Sequence, residues 1–161
     1  MSADTTDARF EDGRDAPLNL GALDVDDLKV LSAIVQDAVF PITEMQWRPK
    51  DRRFALLVNR FRWEDAGGIT GRHKPERVQS LLSIENVLHV ASQGVDRTDK
   101  DTILSLLSIT FEPTEDGAGH LVLTLAGDGA IRLTVEAIEL LLKDVTRPYQ
   151  AVAGKVPGHP E

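Results

Sequence analysis

The chain has 161 residues, no cysteine and a formal net charge of −8 at pH 7, with 42% hydrophobic and 27% charged residues. This length and balance are typical of one globular domain, and the lack of cysteine excludes disulfides and cysteine-ligated metals. The polar start of the chain lacks the pattern of a secretory signal, and no apolar run approaches the ~20 residues that a membrane-spanning helix needs. We therefore expect a cytoplasmic protein without a membrane span.

The two ends of the chain differ in composition from its middle. Residues 1–17 are rich in Asp, Thr and Ala and show no periodicity, which predicts a disordered acidic tail. Residues 149–161 are rich in proline and glycine and predict a second tail. Residues 18–148 are then expected to form a single α+β domain.

The first predicted element is a helix, because apolar residues from Leu28 to Val39 recur at helical spacing with polar residues between them. Asp24 is its predicted N-cap, and the acidic residues of the first turn complement the helix dipole. Pro41 is predicted to end this helix, because proline cannot continue it.

After Pro41 the apolar period changes to two, which is typical of strands. Residues 42–61 predict a hairpin around a turn at residues 48–51, with a β-bulge near Asn59 that switches the face of the following side chains. Later strands are predicted from the alternation in residues 77–93 (bent or broken near Glu85), 103–113, 120–126 and 130–135, the last two joined by a Gly127-Asp128-Gly129 turn.

Residues 135–145, VEAIELLLKDV, return to helical spacing and predict a C-terminal helix. The order of helix, about six antiparallel strands and helix predicts an α+β fold. In this fold the sheet curls, or closes into a partial barrel, so that its edge strands are protected, and the last helix caps one open end. This arrangement is similar to the pleckstrin-homology-like barrel. A flat antiparallel sheet with two helices on one face is the alternative.

Positive charge is concentrated in one segment of this acidic chain. Residues 48–77 contain nine basic and four acidic side chains, a net +5, whereas the remainder contains nine basic and twenty-two acidic ones, a net −13. Arginine forks suit carboxylate or phosphate groups, and tryptophan can anchor an interface. We therefore predict an anion-facing contact surface made by Trp47, Arg48, Arg52, Arg53, Arg60, Arg62, Trp63, Arg72, Lys74 and Arg77.

An acidic protein is the preferred partner of this surface, and RNA is less favoured. Duplex DNA is excluded, because a chain of net charge −8 cannot neutralise phosphates over a broad face. The alternative interpretation is purely structural, since charged side chains collect at solvated turns and protect sheet edges from aggregation.

No motif for catalysis or for binding a metal or cofactor is recognisable. The histidines at positions 73, 89, 120 and 159 lack the spacing of a metal site. The acidic runs at residues 24–27 and 99–101 lack the glycine and glutamate of a calcium loop. The glycine-rich residues 67–71 are not followed by the Gly-Lys-Ser/Thr of a phosphate loop. We therefore predict neither metal nor cofactor.

Three segments of the chain are similar to a known family: PKDRRFALLVNRFRWE, ENVLHVASQGVDRTDKDTILSLLSITFEP and GDGAIRLTVEAIELLLKDV. In length and order they resemble an alphaproteobacterial family, domain of unknown function 2948, and the resemblance covers about residues 18–150. It implies a bacterial cytoplasmic protein of about one domain and brings no catalytic residues with it.

These patterns are compatible with three functions. The first is a non-catalytic binding or interaction module that uses the arginine- and tryptophan-rich hairpin. The second is a small-ligand carrier or enzyme with a pocket in the curled sheet and His89 or the glycine-rich loop at its mouth. The third is an architectural homodimer formed through an exposed strand.

Overall fold

The computed structural model describes residues 16–62 and 76–146 and the backbone of residues 149–150. Two short 3-10 turns, Ile42–Glu44 and Pro49–Asp51, occur within the described part of the chain. The described helix and strands are β1 (Asn19–Ala22), α1 (Val25–Ile34), β2 (Val39–Pro41), β3 (Met45–Arg48), β4 (Arg53–Phe61), β5 (Glu76–Ile84), β6 (Val87–Gln93), β7 (Ile103–Pro113), β8 (Gly119–Leu125), β9 (Ala130–Val135), β10 (Leu140–Asp144) and β11 (Tyr149–Gln150).

The strands form one antiparallel sheet that curls back on itself. The described strands follow the order β1-β10-β5-β4-β2-β7-β8-β9-β6, with β3 also paired to β4 and β11 to β5. β5 and β6 stand far apart in this order, yet only Glu85 and Asn86 separate them in the chain. The last strand must therefore return towards the first ones, and the Val87 N–H donates to the Arg52 carbonyl oxygen at 2.9 Å across this junction. The predicted curled antiparallel sheet is confirmed.

The helix α1 lies where the sequence predicts one, and it covers part of the interior of the curl. The Asp24 carboxylate accepts a hydrogen bond from the Asp27 N–H at 2.8 Å, which confirms the predicted N-cap. Leu28 and Leu31 are buried in the core. The helix ends before the predicted stop at Pro41, because Asp37 takes a φ of 65° and donates its N–H to the Leu106 carbonyl oxygen.

The hairpin of β8 and β9 forms the most regular part of the core. Leu121, Leu123 and Leu125 are buried on one face of β8, and the alternate residues of β9 from Ile131 to Val135 are buried opposite them. Asp128 adopts a φ of 70° in the turn between the strands. The Asp-Gly signal and the period-two alternation therefore predicted this hairpin correctly.

The predicted C-terminal helix is wrong, because residues 140–144 form β10 between β1 and β5. Leu140 and Leu142 are buried and Leu141 is exposed, so the apolar period of this segment is two. Neighbouring strands on both sides satisfy its backbone groups, which outweighs the modest helix preference of leucine. About six strands is also too low a count, and the helix that would cap a pleckstrin-homology-like barrel is here a strand.

Candidate functional site

The arginines at the β3–β4 turn are exposed, and each of them faces a carboxylate. The Arg52 guanidinium lies 2.8 Å from Glu136 Oε1, and that of Arg53 lies 2.8 Å from Glu85 Oε2. Arg48 lies 3.6 Å from Asp51. The hydrogen bond and charge of Glu85 raise the pKa of Arg53. The structure therefore neutralises much of the positive charge that the sequence concentrates at this turn.

Arg60 and Arg62 point into the fold instead of joining those arginines. The register of β4 against β5 runs without a shift from Phe54 to Phe61, so the bulge predicted near Asn59 is wrong. Alternate residues of β4 up to Arg60 are consequently buried on one face. The irregularities of register lie instead in the pairing of β6 with β9 and of β7 with β8.

Arg60 is fully buried and held by polar groups from β5 and from β10, the strand beyond it. Its Nη2 donates to Asp144 Oδ1 at 2.9 Å, and its Nε donates to the Ser80 hydroxyl at 2.9 Å. Arg62 donates to Glu76 Oε1 at 2.6 Å at the end of the same strand. A buried arginine in the interior of a sheet is tolerated because a carboxylate lies opposite it.

The remaining members of the predicted surface are also separated. Arg77 stacks on the Phe61 ring, with its guanidinium carbon 4.0 Å from the ring centre, and it donates to Asn59. Trp63, Arg72 and Lys74 lie outside the described residues. The described arginines of the set thus divide between the exposed turn and buried positions on β4, just beyond its end and on β5.

Trp47 belongs to a different environment from the arginines beside it. It lies on the inner face of β3, directly across from the buried Phe54 of β4, whereas its neighbour Arg48 is exposed. Successive residues of a strand point to opposite faces. The alternation of tryptophan and arginine in the sequence therefore separates the two types of side chain instead of combining them.

Trp47 lines a pocket where two strand edges move apart. Among the described strands, β3 pairs only with β4 and β6 only with β9, so each presents one free edge. The edges meet near the hydrogen bond between Val87 and Arg52 and enclose a pocket of about 550 Å³ beyond it. Its apolar wall is formed by Ile42, Met45, Trp47, Phe54, Val90 and Ile131.

Polar residues also line the pocket. Arg97 and Lys100, from the loop between β6 and β7, line it together with the hydroxyl residues Thr43 and Ser92. The loop is attached to the pocket wall, since the Ile42 N–H donates to the Thr102 carbonyl oxygen at 2.9 Å. An apolar wall with a few convergent polar groups is the usual form of a small-molecule site.

The aspartates of the same loop do not line the pocket. Asp96 Oδ1 accepts hydrogen bonds from the hydroxyl and the N–H of Thr98, which lower the pKa of the Asp96 carboxyl. Asp99 Oδ1 accepts from the Asp101 N–H at 3.1 Å. These carboxylates therefore serve to shape the loop, and the two cations are the charged side chains that line the pocket.

The sequence did not identify this pocket as a particular set of residues. A pocket in the curled sheet was one of the predicted alternatives, with His89 or the glycine-rich loop at its mouth. His89 is exposed and does not line the pocket, and the glycine-rich loop lies outside the described residues. Arg97 and Lys100 are separated in sequence from Trp47 by about fifty residues, and only strand pairing reveals their proximity.

Within residues 16–62 and 76–146, no group of three or more His, Cys, Asp or Glu side chains is arranged to hold a metal ion. None of the helices in this part of the chain has the length and apolarity that crossing a bilayer requires. The pocket between β3 and β6 is the candidate functional site.

Comparison with known proteins returned one family. The model of a family described as "Protein of unknown function (DUF2948)" matches residues 18–159. Neither the comparison with curated proteins nor that with solved structures returned a match.

Proposed function

Since the chain belongs to the DUF2948 family, whose description carries no activity, we propose a function from the residues themselves: a non-catalytic module that binds a small molecule with a large apolar part. The observation that carries this proposal is the pocket of about 550 Å³ between the free edges of β3 and β6. Pockets for drug-sized ligands have volumes of about 300–1,000 Å³ and mostly apolar walls.

The lining supports binding more than catalysis. It contains no carboxylate and no histidine, so the side chains around the pocket offer no ordinary acid–base pair. The aromatic rings of Trp47 and Phe54 lie opposite each other on paired strands and provide a large apolar surface. Burying the apolar part of a ligand there supplies about 0.8 kcal/mol for each CH₂ removed from water.

A contact between the hairpin and an acidic protein has weaker support. For Arg48, Arg52 or Arg53 to bind such a partner, each would first have to leave the carboxylate that it already faces. Exposed ion pairs exchange partners at little net gain, because each is worth about 0–1 kcal/mol. Trp47, one of the two tryptophan anchors of that hypothesis, lines the pocket instead.

The test uses Trp47 as the reporter of the pocket. The chain has two tryptophans, so Trp63→Phe leaves Trp47 as the only one. Energy transfer from Trp47 to the neutral apolar probe N-phenyl-1-naphthylamine is titrated in this background. We expect saturable transfer at one site per chain.

Two matched substitutions make this test specific. Ser92→Phe, at the β6 position that pairs with the lining residue Ile131, adds a ring on the pocket side and should weaken probe binding by at least about tenfold, or 1.4 kcal/mol. Ser83→Phe makes the same change on β5, at a position that does not line the pocket, and should leave binding unchanged. Equal affinity of both variants, with circular dichroism showing both folded, would rule out the pocket as the binding site.

A further inference from the structure

Arg97 and Lys100 are the charged side chains that line the pocket, and neither takes part in an ion pair among the described residues. This contrasts with the arginines at the β3–β4 turn, where every guanidinium has a carboxylate oxygen within 3.6 Å. Both side chains are exposed, so water screens their charge, but each can pair with an anion without first leaving a carboxylate.

Two of the three acidic side chains near these cations accept hydrogen bonds within the loop. Asp96 and Asp99 accept local hydrogen bonds from Thr98 and Asp101, respectively, and neither carboxylate lines the pocket. The loop carries three acidic and two basic side chains, so its total charge does not favour an anion. An anion is favoured instead by which charged side chains line the pocket: Arg97 and Lys100 do, and the aspartates do not.

We propose that the ligand is an amphiphile with a single oxyanion head group, held by Arg97 and Lys100, and an apolar body that lies against Trp47 and Phe54. This inference rests on the proposed binding function and adds the chemical class of the ligand. The guanidinium of Arg97 suits a carboxylate or a phosphate equally well, because its planar fork can donate two parallel hydrogen bonds to either. Ser92 and Thr43 line the same pocket and can donate to further head-group oxygens.

The experiment compares ligands that differ only in the head group. Dodecanoate, dodecyl phosphate and dodecan-1-ol are titrated against the full chain by displacement of N-phenyl-1-naphthylamine. The anions are kept below their critical micelle concentrations and the alcohol below its solubility limit. We expect the anions to bind at least about tenfold more tightly than the alcohol, which corresponds to 1.4 kcal/mol. Tighter binding of dodecanoate would indicate a carboxylate head group, and tighter binding of dodecyl phosphate would indicate a phosphate. Either result supports the inference.

A double variant, Arg97→Gln with Lys100→Gln, tests the two cations directly. It should lose the preference for anions, so that dodecanoate, dodecyl phosphate and dodecan-1-ol bind this variant within about twofold of one another. Arg132→Gln is the matched control, because Arg132 is an exposed cation of β9 next to a lining residue but is not part of the lining. Anion binding by the wild type should also weaken with added NaCl, and this dependence should disappear in the double variant.

The outcomes separate this inference from the function on which it rests. If the wild type binds the alcohol as tightly as the anions, or if the double variant keeps the preference for anions, the anionic class is refuted and the apolar pocket survives. If neither the neutral probe nor any dodecyl compound binds the folded wild type, both proposals are refuted.

Discussion

Replacing Asp144 by alanine removes the carboxylate that faces the fully buried guanidinium of Arg60. The Nη2 of Arg60 lies 2.9 and 3.2 Å from the two carboxylate oxygens, and the two side chains are 0% and 1% exposed. The same carboxylate accepts hydrogen bonds from the Ser80 hydroxyl at 2.7 Å and from the Leu18 N–H at 2.8 Å. The substitution therefore takes the acceptor from a buried cation and from two further donors.

The expected loss of stability follows from this burial. Removing one partner of a buried ion pair costs about 3–5 kcal/mol, because the other charge stays in a medium that solvates it poorly. The lost hydrogen bonds belong to the same carboxylate, so we do not add them separately and expect about 4 kcal/mol. This is a large part of the ~5–15 kcal/mol that stabilises a domain. At about 2–4 °C for each kcal/mol, the Tm should fall by about 12 °C.

Urea unfolding followed by circular dichroism measures this loss. Asp26→Ala is the control, because it removes an exposed carboxylate from the first turn of α1 and should cost less than about 1 kcal/mol. A triple variant, Arg60→Met with Ser80→Ala and Asp144→Leu, should be more stable than Asp144→Ala, since it leaves no buried charge. A loss below about 1 kcal/mol for Asp144→Ala, or a triple variant less stable than that single one, would refute the reasoning.

Four further substitutions test local features of the fold by the same urea assay. A Cβ on Gly119 would overlap the Glu112 carbonyl oxygen, so Gly119→Ala should destabilise by about 2 kcal/mol or more. A Cβ on Gly21 would lie 3.8 Å from its nearest atom, so Gly21→Ala should cost less than about 1 kcal/mol. Asp24→Ala removes the N-cap of α1 and should cost about 1 kcal/mol. Arg52→Ala breaks an exposed ion pair and should cost less than about 1 kcal/mol, a difference that 1 M NaCl should abolish. These assignments would be contradicted if Gly21→Ala lost more stability than Gly119→Ala, or if Arg52→Ala lost more than Asp24→Ala.

The features that the sequence predicted correctly are those set by neighbouring residues. The N-cap at Asp24 and the turn at Asp128 depend on side chains and backbone angles within a few positions, and both lie where the sequence places them. The alternation of buried leucines from Leu121 to Leu125 is likewise a property of one strand. Such local signals needed no knowledge of the rest of the fold.

The features that the sequence misassigned depend on partners far away in the chain. Arg60 looked like a surface residue, because the carboxylate that permits its burial comes 84 positions later, at Asp144. The run from Leu140 to Leu142 is compatible with a helix or a strand, and pairing with both β1 and β5 decides between them. The pocket is non-local in the same way, since it exists where β3 and β6 separate.

The charged cluster of Arg60 and the pocket lie at opposite ends of β4, and we expect them to act independently. Phe54 lines the pocket and Arg60 lies six residues further along the same face, about 20 Å away at ~3.3 Å for each residue. β4 is paired with β5 over this whole length, so loosening one end leaves the other in register. Substitutions at such a distance normally leave each other's effect unchanged within about 0.5 kcal/mol. Folded Asp144→Ala should therefore bind N-phenyl-1-naphthylamine within about twofold of the wild-type affinity, and a larger change at a temperature where the variant is folded would show that the buried ion pair helps to shape the pocket.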